Sequence, residues 1–349
     1  TVSSVRIVER GPVRALLVRT GSLADEAGKQ LDYRMTTELT AGSDLLRVEV
    51  SIVNREDQPE VYIKRWSLDF PVAGAETGRV DLGDRWCAAN DGAVLYQHRE
   101  DRLTWTGADA ECSRVEGKAS GWVRLPGLVI GPRWFWQRFP QAVQFSPDKV
   151  RFDLLPEAFD SGDLPTRWRD RLLEMTDRFT VGGVGYPQSP GKMSLFRLTR
   201  GEALSQEFGI VADGAAVDAP PVGRERLVTP LRPVAEPAYT ASTGAFGALV
   251  PRDPERLERY EQLVDRCYEG YLAQRRKRRE YGFENFGDST FEWGYGPSYT
   301  YWSNSEYDHH HGFGLQYLRS GDPRWWELCE TAARQYRDVV VVHDASDES

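Results

Sequence analysis

The chain has 349 residues, of which 40% are apolar and 28% charged, a composition that excludes wholesale disorder and is long enough for two domains. Forty-four Lys+Arg against 53 Asp+Glu leave a net charge of −9, which argues against nucleic acid as a partner. No apolar run approaches the roughly 18 residues of a membrane-spanning helix.

Aromatic residues make up 11% of the chain, with 11 Trp, 15 Tyr and 14 Phe against 3 Met. Exposed rings are the usual platform for sugar faces, although most Trp serve packing. The cysteines (Cys87, Cys112, Cys267, Cys329) lie far apart with no CxxC, which excludes a zinc ribbon and a dense disulfide framework. Four buried thiols are favoured over a single Cys87–Cys112 bridge. Thr1 stands where Met would open a gene product, so the chain is expected to be processed or cut from a longer one, with any secretion signal outside it.

From residue 1 to about 240 the pattern is that of strands. Val13 to Thr20, Leu31 to Leu39 and Leu45 to Asn54 lead, with turn chemistry at Ala41-Gly42-Ser43-Asp44. Further candidates are Val61–Phe70, Val94–His98, Gly121–Leu125, Arg133–Phe139, Val150–Leu155, Asp177–Val181 and Lys192–Leu198. Many short strands without helical periodicity predict an antiparallel β-sandwich over residues 1–240. A proline-rich stretch, residues 214–254, reads as an extended connection. An α-helical domain is expected over 241–349. Its first long helix runs from Pro254 to Tyr281, with Leu257, Tyr260, Leu263, Val264, Cys267, Tyr268, Tyr271 and Leu272 at helical spacing. A loop from Gly282 to Ser303 leads to a helix over about Asn304–Arg319, and Asp322-Pro323 opens a third.

Chemistry concentrates in residues 283–311, where Gly, aromatic, acidic and His residues crowd together. On a helix from Asn304, Asp308 and His311 would share a rim with Asn304 one turn earlier. Imidazole serves as a base near neutral pH, and phenol can give a proton to a leaving oxygen. The bland account is that these groups cap the helix and satisfy one another. Glu306, Asp308, His309 and His311 also have metal-ligand chemistry. Calcium through the carboxylates suits them better than zinc, because neighbouring histidines on a helix point apart, yet no metal or cofactor is the primary expectation. The run Arg275-Arg276-Lys277-Arg278-Arg279 fits a solvated helix end better than an anionic-sugar or nuclear-localisation site. In the string Trp134-Phe135-Trp136-Gln137-Arg138-Phe139-Pro140, strand alternation would split the rings between two faces, for core packing.

Arg133 to Glu157 resembles the central sandwich of the YetA-like group of exo-rhamnogalacturonan lyases. The carboxyl-terminal stretch is similar too, in Asn285-Phe286-Gly287-Asp288, Asn304-Ser305-Glu306-Tyr307-Asp308, His311, Gln316-Tyr317, Gly321-Asp322 and Ala333 to His343. The resemblance implies a β-sandwich followed by the first helices of an (α/α) toroid, and a chain that begins near a preceding barrel and ends early in the toroid. Uncovered helix faces would then favour association. It also implies a secreted enzyme acting on an acidic polysaccharide by β-elimination at a uronate. That chemistry needs a base for the C5 proton, an acid for the C4 oxygen and a group facing the carboxylate. The candidates are His309, His310 or His311 as base and Tyr299, Tyr301 or Tyr307 as acid. Asn285, Asp288, Trp293, Trp302, Asn304, Glu306 and Asp308 are the candidate substrate contacts, with Asn285, Asn304 or an Arg facing the carboxylate. Gly191-Lys192-Met193-Ser194 departs from the Lys-Thr-His-Glu-like run of the group, which argues against a contribution from the sandwich. A glycoside hydrolase using two of Glu284, Asp288, Glu292 and Glu306, and a non-catalytic carbohydrate-binding or scaffold protein, are the competing expectations.

Overall fold

A computed structural model describes residues 1–24, 28, 30–55, 60–72, 77–107, 112, 116–156, 196–213, 227–230, 232, 234–292 and 300–343. The described residues up to 230, with 341–343, form one compact unit, and those from 232 to 340 a second. Asp177–Val181 and the start of Lys192–Leu198 lie outside the described residues.

The first unit is the antiparallel sandwich expected from the strand pattern. Its strands in chain order are β1 (Val2–Arg10), β2 (Arg14–Ala24), β3 (Gln30–Thr40), β4 (Leu45–Val53), β5 (Glu60–Ile63), β6 (Trp66–Pro71), β7 (Gly78–Asp81) and β8 (Trp86–Ala89). There follow β9 (Val94–Arg99), β10 (Arg102–Trp105), β11 (Val123–Leu125), β12 (Gly127–Pro132), β13 (Gln141–Phe145), β14 (Lys149–Leu155), β15 (Phe196–Thr199) and β16 (Ala203–Asp213). One sheet has the order β1-β2-β3-β4-β16-β12-β11-β7-β8 and the other β10-β9-β13-β14-β6. Phe70 and Phe152 of the smaller sheet meet Phe208 of the larger one at ring-centroid distances of 5.5 and 5.2 Å, so the apolar faces of the two sheets close on each other.

A second core cluster gathers around Trp122, with Leu45, Val129, Val211 and Leu227. Gly131 and Gly209 are direct partners across β12 and β16. A Cβ on Gly131 would come 2.4 Å from Trp122 Cγ, and one on Gly209 would come 2.8 Å from Cη2. The paired glycines therefore make the slot that the indole fills, which is why neither strand carries a side chain there.

Two sequence expectations change here. Val61–Phe70 is not one strand: β5 pairs with β15 while β6 pairs with β14, and the chain switches sheets at Lys64-Arg65. Arg133–Phe139 is not a strand either, since residues 133–138 form a turn in which the Arg138 N–H donates to the Trp134 carbonyl at 3.0 Å. Trp134 stands at φ 60°, with the Arg133 guanidinium carbon 4.1 Å from its ring centroid. That turn aims Arg133 at Glu207 (3.1 Å) and Arg138 at Gln206 (3.4 Å) and the Ser205 carbonyl, the polar groups that β16 buries.

Cys87 and Cys112 form a disulfide, Cys267 is exposed and Cys329 is half-buried, so the expectation of four buried thiols is corrected. The bridge spans a sequence separation of 25 residues. Replacing both cysteines by Ala is expected to cost about 2–4 kcal/mol through the freed unfolded chain, read as a lower urea midpoint for the first unit.

The second unit is helical. It comprises α1 (Pro237–Thr243), α2 (Glu258–Arg278), the hairpin β17 (Thr290–Glu292) and β18 (Thr300–Trp302), α3 (His309–Ser320) and α4 (Pro323–Gln335), then a π-turn over Tyr336–Val340. A short helix and a hairpin thus stand where an extended connection and a loop were expected. The start of α3 lies five positions after Asn304, so Asn304 is outside the helix that Asp308 caps and that carries His311. The ends were read correctly. Gly321 at φ 69° closes α3, and the Asp322 carboxylate accepts the Arg324 N–H at 3.0 Å to open α4. Tyr317, Trp325 and Leu328 make the core of the unit, with Val264, Tyr268, Tyr271, Leu272 and Phe313 against it.

Candidate active site

Residues spaced three and four apart on a helix share a face, and the last two turns of α2 use this to hold the hairpin. Gln274 Nε2 and Arg278 Nη1 both donate to the Thr290 carbonyl, at 2.7 and 2.8 Å. Just past the helix end, Glu280 is wholly buried. Its Oε1 accepts the Thr290 N–H at 2.8 Å, the Thr290 hydroxyl at 2.6 Å and Gln274 Nε2 at 3.1 Å. Asp288, equally buried, does the same for the other end of the hairpin. Its carboxylate accepts the Ser289 N–H at 2.8 Å, the Ser303 hydroxyl, and the Asn304 N–H at 2.9 Å.

Asp288 fixes the start of the turn that delivers the histidines, while Glu280 fixes the hairpin strand before it. Within it Asn304, Ser305 and Asp308 have φ of 47°, 57° and 52°, left-handed values that cost side-chain-bearing residues about 1–3 kcal/mol each. His309 is the first residue of α3. Its ring lies 5.9 Å from Phe313, 6.2 Å from Tyr271 and 6.3 Å from Tyr307, centroid to centroid. Burial pushes its pKa below the ordinary histidine value, Arg275 and His310 push the same way, and Asp288 and Glu280 oppose them. A helix N-terminus also disfavours imidazolium, so the ring is neutral at neutral pH. The Tyr271 phenol, raised mainly by burial, keeps its proton while accepting Arg275 Nη2 at 2.9 Å.

Several buried polar atoms here have no hydrogen-bond partner among the described residues: His309 Nδ1, His310 Nδ1, Glu280 Oε2, Arg275 Nε and Ser305 Oγ. Such a concentration is unusual, because buried polar groups are nearly always paired. The His309 imidazole thus has the Tyr271 and Tyr307 rings 6.2 and 6.3 Å away and lies within the electrostatic influence of the Arg275 guanidinium.

Of the residues singled out in the sequence, the fold brings His309, Asp288 and Tyr307 together. His310 Nε2 lies 3.2 Å from Asp308 Oδ1 and its ring packs 4.8 Å from Tyr336. His311, Asn304, Glu306, Tyr307 and Asp308 are exposed, Asn285 and Trp302 are half-buried, and Tyr301 lies in β18 opposite Phe291. Tyr299 and Trp293 lie outside the described residues. Among the described residues no three His, Cys, Asp or Glu side chains converge as a metal site would require.

Sequence reasoning passed over Glu280, Tyr271 and Arg275. The solvated reading of the basic run suits Arg276, Lys277 and Arg279, which are exposed, but Arg275 is 6% exposed. The overlooked signal was its four-residue spacing from Tyr271, on the face that α2 turns inward.

Residues 230–346 match the family model for the PcRGLX-like protein C-terminal alpha/alpha toroid domain. No curated protein matches the chain. Among solved structures, a candidate aldose 1-epimerase from Escherichia coli K12 shares 14% identity over 60% of this chain and 69% of its own, with a TM-score of 0.26. A galactose mutarotase related enzyme from Lactobacillus acidophilus shares 10% over 60% and 71%, with a TM-score of 0.24. Likeness at those scores places no residue of this chain in either enzyme's site. No helix among the described residues is long and apolar enough to cross a membrane.

Proposed function

We propose that this chain is the sandwich and toroid portion of a polysaccharide lyase that cleaves a uronate-containing, rhamnogalacturonan-like glycan by β-elimination. The observation that carries the reading is His309, a neutral imidazole held beside Tyr271, Tyr307 and Arg275; the toroid match over residues 230–346 supports the substrate class. His309 takes the C5 proton, and the electron pair of that bond becomes the C4–C5 double bond as the C4–O bond breaks. Tyr307, 62% exposed, donates its proton to the departing oxygen and regains one from solvent. Arg275, buried and bound to the Tyr271 hydroxyl, contributes the positive field that offsets the charge developing on the C6 carboxylate. Glu280 and Asp288 do not react; they hold the hairpin and the 303–308 turn in place. The occupied oxygens of Asp288 argue against its service as one of the two carboxyls of a hydrolase, which must be free to exchange protons.

The Cys87–Cys112 disulfide supports action in an oxidising, extracytoplasmic compartment. The test is ultraviolet absorbance of a 4,5-unsaturated uronate while the protein is mixed with rhamnogalacturonan and other uronate polysaccharides. Rising absorbance is expected. A flat trace with reducing ends released would move the assignment to a hydrolase.

A further inference from the structure

The outer face of the smaller sheet carries a second feature that the proposed elimination does not use. Strand alternation sends Leu95, Val143 and Phe152 into the sandwich core, where each is 1% exposed or less. It sends their neighbours to the opposite face, where Ala142 pairs in register with Tyr96 on one side and Asp153 on the other, and Gln144 lies opposite Val94. These residues, with Arg65 from the bend between β5 and β6, line a cavity of about 150 Å³.

Asp153 is the anomaly. It is 2% exposed, and although its Oδ2 accepts Gln144 Nε2 at 2.6 Å, its Oδ1 is buried with no hydrogen-bond partner among the described residues. A carboxylate oxygen left in that state is costly unless something else supplies a donor. The rest of the lining is Val94, Ala142, Pro156 and the ring of Tyr96, an apolar floor; burial raises the proton affinity of Asp153, and the positive charges of exposed Arg65 and of Arg151 oppose it.

We infer that this cavity is a saccharide-binding site, separate from the His309 centre, that takes one neutral pyranose ring with a hydroxyl donated to Asp153 Oδ1 and a C–H face on Tyr96 and Val94. The volume decides the size of the ligand. It equals about five waters' worth of liquid, which suits one ring, and it is well below the roughly 300 Å³ at which sites for larger ligands begin. The charge decides its class, because the carboxylates of Asp153 and Asp69 match the guanidiniums of Arg65 and Arg151 that act on Asp153, which leaves no surplus cation for a uronate.

The test titrates the full chain with rhamnose, galactose, glucose and galacturonic acid, using saturation-transfer NMR and calorimetry. At least one neutral sugar is expected to bind at millimolar concentration in a manner that depends on Asp153, whereas binding of galacturonic acid is not expected to depend on it. Asp153→Ala is expected to weaken it ten-fold or more, Asp153→Asn less, and His309→Gln not at all. Arg65→Ala, at the exposed mouth, gives a second variant should Asp153→Ala unfold, and weakening there also supports the site. Equal binding by wild type and both Asp153→Ala and Arg65→Ala, binding of galacturonic acid that Asp153→Ala weakens as much as that of the neutral sugar, loss of the neutral sugar in His309→Gln, or no neutral sugar bound at all would each overturn the proposal.

Discussion

His309→Gln is expected to slow formation of unsaturated product by about 100- to 10,000-fold, the range that a positioned proton acceptor contributes. Glutamine retains polar atoms and similar bulk but cannot take a proton. The fold should survive the change, because the ring contributes contacts to Phe313 and Tyr271 rather than a buried ion pair. The pH profile gives a second readout. Folded His309 binds a proton less readily than an ordinary histidine, so the acidic limb of the activity should fall below the usual histidine range near 6.5. Stability follows the same sign: between the folded and unfolded values the unfolded chain binds more protons, so His309 subtracts stability as pH falls through that window. Activity within three-fold of wild type in His309→Gln, measured by initial-rate absorbance, would remove this residue from the base's role.

Glu261→Ala is expected to destabilise the helical unit by about 3–5 kcal/mol, the cost of leaving one partner of a buried ion pair behind. Glu261 on α2 and Arg319 on α3 are 2% and 5% exposed. The guanidinium spans both carboxylate oxygens, with Nη1 to Oε2 at 2.9 Å and Nη2 to Oε1, while Nε donates to the Val250 carbonyl at 3.0 Å. Removing the carboxylate strands a charge that is 5% exposed, with only the neutral Val250 carbonyl and Gln316 Oε1 left among the described residues to accept from it. Replacing the pair together, Glu261→Leu with Arg319→Met, should recover most of the loss, since an apolar pair of similar volume carries no desolvation cost. Urea titrations of the single and double variants measure both. The Arg319 hydrogen bond holds Glu261 below its ordinary pKa, so this contribution is full above about 4.5 and disappears as pH falls through the lower, folded value.

The sandwich was legible wherever one face of a strand meets water. Residues Leu45 to Val53 alternate in the sequence and alternate in burial, and β3 pairs with β4 across the turn at 41–44 as the turn chemistry suggested. The central strand β16 was not legible. Its first seven residues are all buried, including Ser205, Gln206 and Glu207, so no period of two survives. What keeps those polar groups inside is the supply of Arg133 and Arg138 from a turn some 70 residues earlier in the chain, which no local pattern reports.

The same division runs through the candidate site. By itself the sequence determined that residues 283–311 concentrate the polar and aromatic chemistry, that α3 stops at Gly321 and that α4 starts at Asp322-Pro323, because caps and helix-incompatible residues act over a single turn. Only the tertiary structure decided which of three adjacent histidines is half-buried beside Tyr271, that Arg275 leaves its basic run to join them, and that Glu280 and Asp288 hold the strained turn instead of facing solvent. Those outcomes depend on how much water each group loses and on which distant donors replace it. Desolvation and pairing are properties of the packed unit; residue order carries at most a local trace of them, such as the four-residue spacing of Tyr271 and Arg275 on α2.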